Sequence, residues 1–232
     1  MREINILGLR LRDYTLREKM RLVDAYLKSG KLNTITYVST QILMSAEKDP
    51  QEKQWLEAVN IVVYCDADIA RAAGVTARKY LKEIENNSFL KELLRKLVCE
   101  KYPIYLLSDS EENMETLESE LERLQGMAEI AGKRIFREDE EDEEETGGDI
   151  VINDINDKAP GAVLSLLGYP RQEAFLFHNR DKINTDIWVG LHEDSPVLGG
   201  EEKGAGALLK KLQKRVFQRK VHQYENQEKT EL

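Results

Sequence analysis

Short apolar segments of β-strand type alternate along this chain with segments whose apolar residues recur at helical spacing. Six runs of strand type are INILGL at 4–9, TITYV at 34–38, NIVVYC at 60–65, YPIYLLS at 102–108, AVLSLLG at 162–168 and DIWVGL at 186–191. Apolar runs of this kind are typical of strands that are buried on both faces of a parallel sheet. The alternation therefore predicts a mainly parallel sheet whose strands are separated in sequence by helices.

Three of the intervening helices are marked by capping residues and apolar faces. Thr15 and Glu18 form a capping-box pair, and Gly30 is placed where that helix would end. Ser88 is a candidate cap for the second helix. The apolar faces comprise Leu16, Met20, Val23 and Leu27; Phe89, Leu90, Leu93, Leu94 and Leu97; and Met114, Leu117, Leu121 and Leu124. We therefore predict an α/β, Rossmann-like fold, with the sheet flanked by helices.

The composition bounds the class of protein and its organisation. The chain has 232 residues, 41% of them hydrophobic and 33% charged, which is typical of a globular protein. It contains no apolar run long enough to span a bilayer, and its first residues do not resemble a signal peptide, so we expect a cytoplasmic protein. We predict one Rossmann-like domain over residues 1–200 and an appendage over 201–232. Cys65 and Cys99 show no CxxC spacing, so neither a disulfide framework nor a cysteine zinc site is expected.

Charge is distributed unevenly along the chain. The net charge of −9 argues against nucleic acid as a partner. This total hides an asymmetry, because residues 138–145 are eight consecutive carboxylates whereas residues 203–222 contain seven Lys or Arg and no acid. We interpret that acidic run as a solvated loop or a frayed helix start.

The last segment reads as a basic amphipathic helix. Apolar residues recur at helical spacing from Leu208 to Val221. The basic residues between them are Lys210, Lys211, Lys214, Arg215, Arg219 and Lys220. Such a helix can bind an anionic membrane surface, here the inner face of the plasma membrane. It can equally pack on its own domain and leave the basic side in solvent, and the sequence leaves both interpretations open.

No metal or cofactor site emerges from the motifs. Asp66-Ala67-Asp68 follows a predicted strand, where an Asp-x-Asp can hold a divalent cation, but Asp66 can also cap a helix that begins near Ala67, and we favour the cap. The glycine-rich stretch 199–206 lacks the spacing of a phosphate-binding loop and is interpreted as a hinge. His178, His192 and His222 share no ligand spacing.

One stretch of the sequence carries a family resemblance. Its matching residues are Leu167, Gly168, Pro170, Gln172, Glu173, Asn179, Arg180, Ile183 and Asn184. With the order of the preceding motifs, over roughly residues 3–198, this resembles the WecG/TagA/CpsF glycosyltransferase family. The resemblance implies transfer of an N-acetylmannosamine-type sugar from a UDP donor to a polyprenyl-diphosphate-linked acceptor in cell-envelope polysaccharide synthesis. It implies that Gln172 and Glu173 bind substrate, and that no metal is needed.

The N-terminal half resembles the family in layout but departs from it in the motifs of the binding pocket. The family's Thr-x-Asn pair falls on Tyr37 and Ser39, with Thr36 adjacent. Its Asp-Gly, whose aspartate is the proposed general base, falls on Cys65-Asp66, or on Asp66-Ala67 after a shift of one residue. By resemblance, Asp66 is the candidate catalytic base, and Thr36, Tyr37, Ser39 and Cys65 are candidate substrate contacts.

A further departure concerns the family's Arg-Val-x-Gly-x-Asp segment. Its arginine, glycine and aspartate fall on Glu83, Asn86 and Ser88. These changes leave a second interpretation open, an inactive homologue that binds a nucleotide sugar or an active transferase and regulates assembly. A homo-oligomer is also left open. The basic C-terminal segment resembles, in composition, the family's appendage for membrane docking and closure of the active site.

Overall fold

A six-stranded sheet, parallel throughout, forms the centre of the molecule. The computed structural model describes residues 2–124, 127–137, 147–192 and 205–230; in the last range it describes side chains at 213–224 and 226. The strands are β1 (Arg2–Ile6), β2 (Leu9–Asp13), β3 (Asn33–Val38), β4 (Ile61–Tyr64), β5 (Ile104–Ser108), β6 (Ile130–Ile135), β7 (Ala162–Leu166) and β8 (Ile187–Gly190). The order across the sheet is β4-β3-β8-β7-β5-β6, which confirms the predicted α/β fold.

Helices cover both faces of this sheet. They are α1 (Leu16–Tyr26), α2 (Thr40–Ala46), α3 (Pro50–Glu57), α4 (Ala67–Ala72), α5 (Arg78–Glu85), α6 (Ser88–Cys99), α7 (Glu111–Glu122), α8 (Gly147–Lys158), α9 (Arg171–Asn179) and α10 (Ala205–Thr230). Helices α1, α6 and α7 pack on one face, and α2, α3, α8 and α9 pack on the other. Alternate residues of each strand point to opposite faces, so the strands are apolar on both sides.

The first predicted strand is not part of the main sheet, and in this respect the sequence interpretation was wrong. Strand β1 pairs antiparallel with β2 through a turn at Leu7 and Gly8, whose φ angles are +53° and +78°. In both strands, buried and exposed residues alternate, which is the pattern of a hairpin with one solvent face. The buried side of the hairpin joins the apolar cluster that contains Val62 and Tyr64 of the edge strand β4.

The predicted helix caps are confirmed in one case and corrected in another. Thr15 and Glu18 form both hydrogen bonds of a capping box at the start of α1. Ser88, predicted to cap the second helix, is instead the first residue of α6. The cap position is held by Asn87, which has a φ of +50°. Asparagine tolerates this left-handed conformation better than most residues, which explains the one-residue difference.

The predicted boundary at residue 200 lies outside the described residues, as do the acidic run 138–145 and residues 199–204 of the glycine-rich stretch 199–206. Among the residues that the structure describes, no helix is both long and apolar enough to cross a bilayer.

Candidate functional site

A cleft opens where the neighbouring strands β3 and β4 end. Ser39 follows β3 and caps α2 by accepting a hydrogen bond from the Ile42 N–H, while Cys65 and Asp66 follow β4. The cleft has a volume of about 130 Å³. Its lining residues are Ser39, Thr40, Gln41, Cys65, Asp66, Gln213 and Lys214. Open α/β sheets bind ligands outside the carboxyl ends of their strands, so this is the expected position of a ligand site.

Asp66 is held in place by the helix that it caps. Its Oδ1 accepts hydrogen bonds from the N–H groups of Asp68, at 2.8 Å, and Ile69, at 3.3 Å. Helix α4 begins at Ala67, so of the two interpretations of the Asp-x-Asp tripeptide the structure shows the cap. Its Oδ2 is turned toward Lys214, whose Nζ lies 3.7 Å away. The described part of the chain holds no cluster of three or more side chains suited to a metal ion.

Lys214 brings a positive charge into the cleft from the C-terminal helix. Its Nζ lies 3.2 Å from Oδ2 of Asp68, in addition to its contact with Asp66, and its side chain is 38% exposed. The sequence analysis considered this lysine only as a membrane contact. Its place in the cleft depends on how α10 packs, and nothing in the local sequence reports that packing.

Helix α10 docks on the domain through its apolar side. Phe217 is fully buried, and Val221 and Tyr224 pack against the same cluster of α2, α3 and α4 residues. Lys220 forms an ion pair with Glu47 at the end of α2. Arg215 and Arg219 are exposed, whereas the side chains of Lys210 and Lys211 lie outside the described part of the helix. Over residues 213–224, therefore, α10 shows the second of the two predicted arrangements, packing on its own domain.

Two predicted substrate contacts lie inside the protein. Thr36 is fully buried under α9, and Tyr37 is fully buried on the opposite face of the sheet. The Tyr37 hydroxyl donates a hydrogen bond to Oδ1 of Asn87 at 3.3 Å. Of the candidates on and after β3, only Ser39 lines the cleft. Because consecutive strand residues point to opposite faces, the one-residue difference in alignment between Thr36 and Tyr37 exchanges one face of the sheet for the other.

Gln172 and Glu173 lie at the start of α9, after the carboxyl end of β7, but they do not line the Asp66 cleft. Both are buried, Gln172 completely and Glu173 to within 3%. A Cβ on Gly190 would lie 2.2 Å from Nε2 of Gln172, so only glycine leaves room for this glutamine. Oε1 of Glu173 lies 3.2 Å from Nε2 of His192, also buried.

A buried lysine beside strand β4 was missed by the sequence analysis. Lys19, on α1, is only 2% exposed, and its Nζ lies within 6 Å of the ring centroids of Tyr64, Tyr80 and Phe89. The Tyr80 hydroxyl lies 3.4 Å from this Nζ and donates a hydrogen bond to Asp13 at 2.5 Å. Burial lowers the pKa of Lys19 from 10.5 to about 8, partly offset by the negative charges of Asp13 and Glu83.

Glu83 lies in the wall of a small cavity that it shares with Lys19, Tyr64 and Asn87. The sequence analysis aligned this position with an arginine of the family. Position 83 thus carries a carboxylate, and Lys19 contributes the positive charge of this cavity.

A parallel α/β sheet with a polar cleft at its strand ends defines the class of ligand-binding α/β proteins to which nucleotide-dependent enzymes belong. Within that class, the model of the glycosyl transferase WecG/TagA/CpsF family matches residues 4–226. The chain therefore belongs to the WecG/TagA/CpsF family of glycosyltransferases. This membership indicates a glycosyltransferase of cell-envelope polysaccharide synthesis, which acts with a sugar donor and a lipid-linked acceptor. No curated protein matches the chain significantly.

Proposed function

We propose that this protein transfers an N-acetylmannosamine-type sugar from a UDP donor to a polyprenyl-diphosphate-linked acceptor. The observation that carries the proposal is the cleft at the ends of β3 and β4, where Asp66 and Lys214 face each other at 3.7 Å. A carboxylate and an ammonium at one site match the two needs of sugar transfer. These are a base for the acceptor hydroxyl and a positive charge for the leaving diphosphate.

In this mechanism Asp66 is the base. Its Oδ1 is engaged by two backbone N–H groups, so the carboxylate is fixed in orientation and Oδ2 remains the atom that can take a proton. Ser39 and Thr40 add polar groups to the cleft wall. Lys214 separates from the two aspartates and pairs with the donor's phosphates, the stronger anion. Lys214 thus supplies the positive charge that the family resemblance predicts from an arginine at position 83, where this chain has a glutamate.

A transfer assay tests this role. UDP-N-acetylmannosamine and a polyprenyl-diphosphate-linked amino sugar are incubated with the full chain, and release of UDP is followed. We expect turnover that EDTA leaves unchanged, and a rate about 10²- to 10⁴-fold lower for Asp66→Asn. Asp157→Asn, an exposed aspartate on α8, is the matched control and is expected to retain the full rate. Turnover that EDTA abolishes and manganese restores would instead assign the Asp-x-Asp tripeptide to a cation.

The alternative function is that of an inactive homologue that binds a nucleotide sugar or an active transferase. The specific observation in its favour is Glu83, which places a carboxylate in a cavity where the family resemblance predicts an arginine. Binding of the UDP-sugar without turnover in the assay above would favour this alternative.

We further propose that the protein works at the cytoplasmic face of the membrane, where a polyprenyl-linked acceptor resides. The exposed Arg215 and Arg219 on α10 support this location. Each basic residue near an anionic surface contributes about 1 kcal/mol, so replacing both with glutamine is expected to weaken vesicle binding roughly 30-fold. Co-sedimentation with anionic vesicles measures this. The control replaces Arg78 and Lys82, two exposed residues of α5, and equal losses in both variants would contradict the assignment.

A further inference from the structure

A second groove lies on the α3 and α9 side of the sheet, apart from the Asp66 cleft. It runs between the end of α3 and the length of α9, and its volume is about 160 Å³. This space suits a small ring and exceeds what a single water molecule requires. None of the residues that line the groove also lines the Asp66 cleft.

Aromatic and aliphatic side chains form much of the groove wall. Trp55 of α3 and Phe177 of α9 contribute rings, and Leu176 lies beside them. Phe177 is 41% exposed, unusually open for a phenylalanine in the described structure, where most large apolar side chains are buried. The groove therefore offers a ligand aromatic surface.

The polar groups of the groove have hydrogen-bonding capacity to spare. One Arg180 nitrogen donates to the Leu32 carbonyl, at 3.3 Å, and to Oδ1 of Asn60, at 3.1 Å. Its remaining N–H groups bond to no described residue, and no described carboxylate forms an ion pair with it. Asp181, the next residue, is exposed and has neither a hydrogen bond nor an ion pair within the described ranges. A donor and an acceptor thus stand side by side next to aromatic rings.

The charge of the groove restricts the class of ligand. Glu173, Asp181 and Arg180 line it together, so two acids accompany one base. The acids would repel a phosphate or nucleotide. An organic cation would leave the N–H donors of Arg180 without an acceptor. A neutral ring that carries hydroxyl groups satisfies all these features, because hydroxyls donate to Asp181, accept from Arg180, and leave an apolar ring face for Trp55 and Phe177.

We propose that the groove between α3 and α9 binds a sugar ring. The groove is lined by Thr34 and Val59 beside the amino ends of β3 and β4, whereas Asp66 follows the carboxyl end of β4. This ring is therefore not the one whose hydroxyl Asp66 would activate, and the inference goes beyond the proposed function. Binding of a free sugar does not depend on donor chemistry, so the two claims can fail separately.

Tryptophan fluorescence provides a local probe of this groove. The chain has two tryptophans, and Trp188 is fully buried in the core. In a Trp188→Phe protein, Trp55 is the sole tryptophan and reports on the groove. We expect free N-acetylmannosamine or N-acetylglucosamine to change its emission saturably in the millimolar range. Saturation-transfer NMR on the unaltered chain gives the same answer if Trp188→Phe does not fold.

Two variants and a control locate the binding. Asp181→Asn and Phe177→Ala are each expected to weaken the sugar by about 2- to 10-fold, the effect of one lost hydrogen bond or of a lost ring contact. Asp157→Asn, exposed on the neighbouring α8, is expected to leave the affinity unchanged. The proposal is overturned if neither sugar binds, if Asp181→Asn behaves like Asp157→Asn, or if inorganic phosphate saturates the signal and the sugars do not. Sugar binding without UDP-sugar turnover would uphold the groove and reject the transferase.

Discussion

At the residue scale, Lys19 lies in an environment that a lysine rarely occupies. The ammonium of this residue, which is 2% exposed and donates a hydrogen bond to the Tyr80 hydroxyl, has lost most of its hydration. Three aromatic rings and the carboxylates of Asp13 and Glu83 offset this lost hydration only in part. The pKa of Lys19 is therefore still lowered to about 8. Lys19 therefore links the hairpin, α1 and α5 at a cost in stability that depends on pH.

The sign of that dependence follows from linkage. The folded-state pKa of about 8 lies below the ordinary value of 10.5, so between these pH values the unfolded chain binds more protons. The free energy of unfolding should therefore rise with pH, by about 3 kcal/mol over the whole window. It rises because deprotonation of Lys19 removes a charge that is buried in the folded state. Urea denaturation from pH 7 to 9 measures the first part of this rise, before tyrosines with an ordinary pKa near 10 titrate in the unfolded chain.

The comparison of variants isolates this residue. Lys19→Met should remove the rise, while Lys28→Met, an exposed lysine just beyond α1, should retain it. Parallel stability curves for the unaltered protein and Lys19→Met would show that the Lys19 ammonium is not desolvated as described.

At the element scale, the sequence predicts features that depend on neighbouring residues better than features that depend on distant ones. The capping box at Thr15 and Glu18 involves residues three apart, so the sequence alone predicted α1. The hairpin was missed because Leu7 adopts a positive φ that its residue type rarely takes, and the turn lacks an Asn-Gly or Asp-Gly pair. Gln172 follows the strand predicted at 162–168, but its burial depends on the absence of a side chain at Gly190, eighteen positions away.

Helix α10 illustrates the same limit for the site. Its apolar stripe was visible in the sequence, but a lipid surface and a protein surface select the same stripe. The fully buried Phe217 shows that, over residues 213–224, this apolar stripe packs against the protein's own domain. Lys214 is placed in the cleft by that docking, and no motif around Asp66 could have predicted it.

Docking of α10 can be tested through its anchor. Phe217→Ala removes a fully buried ring, a change that typically destabilises by about 3–5 kcal/mol, which we expect to appear as release of α10 rather than global unfolding. Hydrogen exchange should show protection lost over 213–224 and retained in β3 and β7. Val216→Ala, on the same helix but 49% exposed, is the control and should change little. Unchanged protection in Phe217→Ala would mean that other contacts hold the helix.

At the scale of the whole molecule, the fold brings together one charged cleft from three distant parts of the chain. Ser39 comes from the end of β3, Asp66 from the end of β4, and Lys214 from the C-terminal helix. We propose that this cleft binds the diphosphate of a UDP-sugar through Lys214.

Calorimetric titration of UDP and UDP-N-acetylmannosamine into the full chain measures whether this cleft binds the donor. A charge-assisted hydrogen bond contributes about 1.5–3 kcal/mol, so Lys214→Gln should weaken UDP about 10- to 150-fold. Lys220→Gln, which removes the neighbouring ion pair with Glu47 outside the cleft, should bind UDP as the unaltered protein does. Absence of binding in the unaltered protein, or equal affinity in the Lys214→Gln and Lys220→Gln variants, would contradict the assignment of this cleft to the donor.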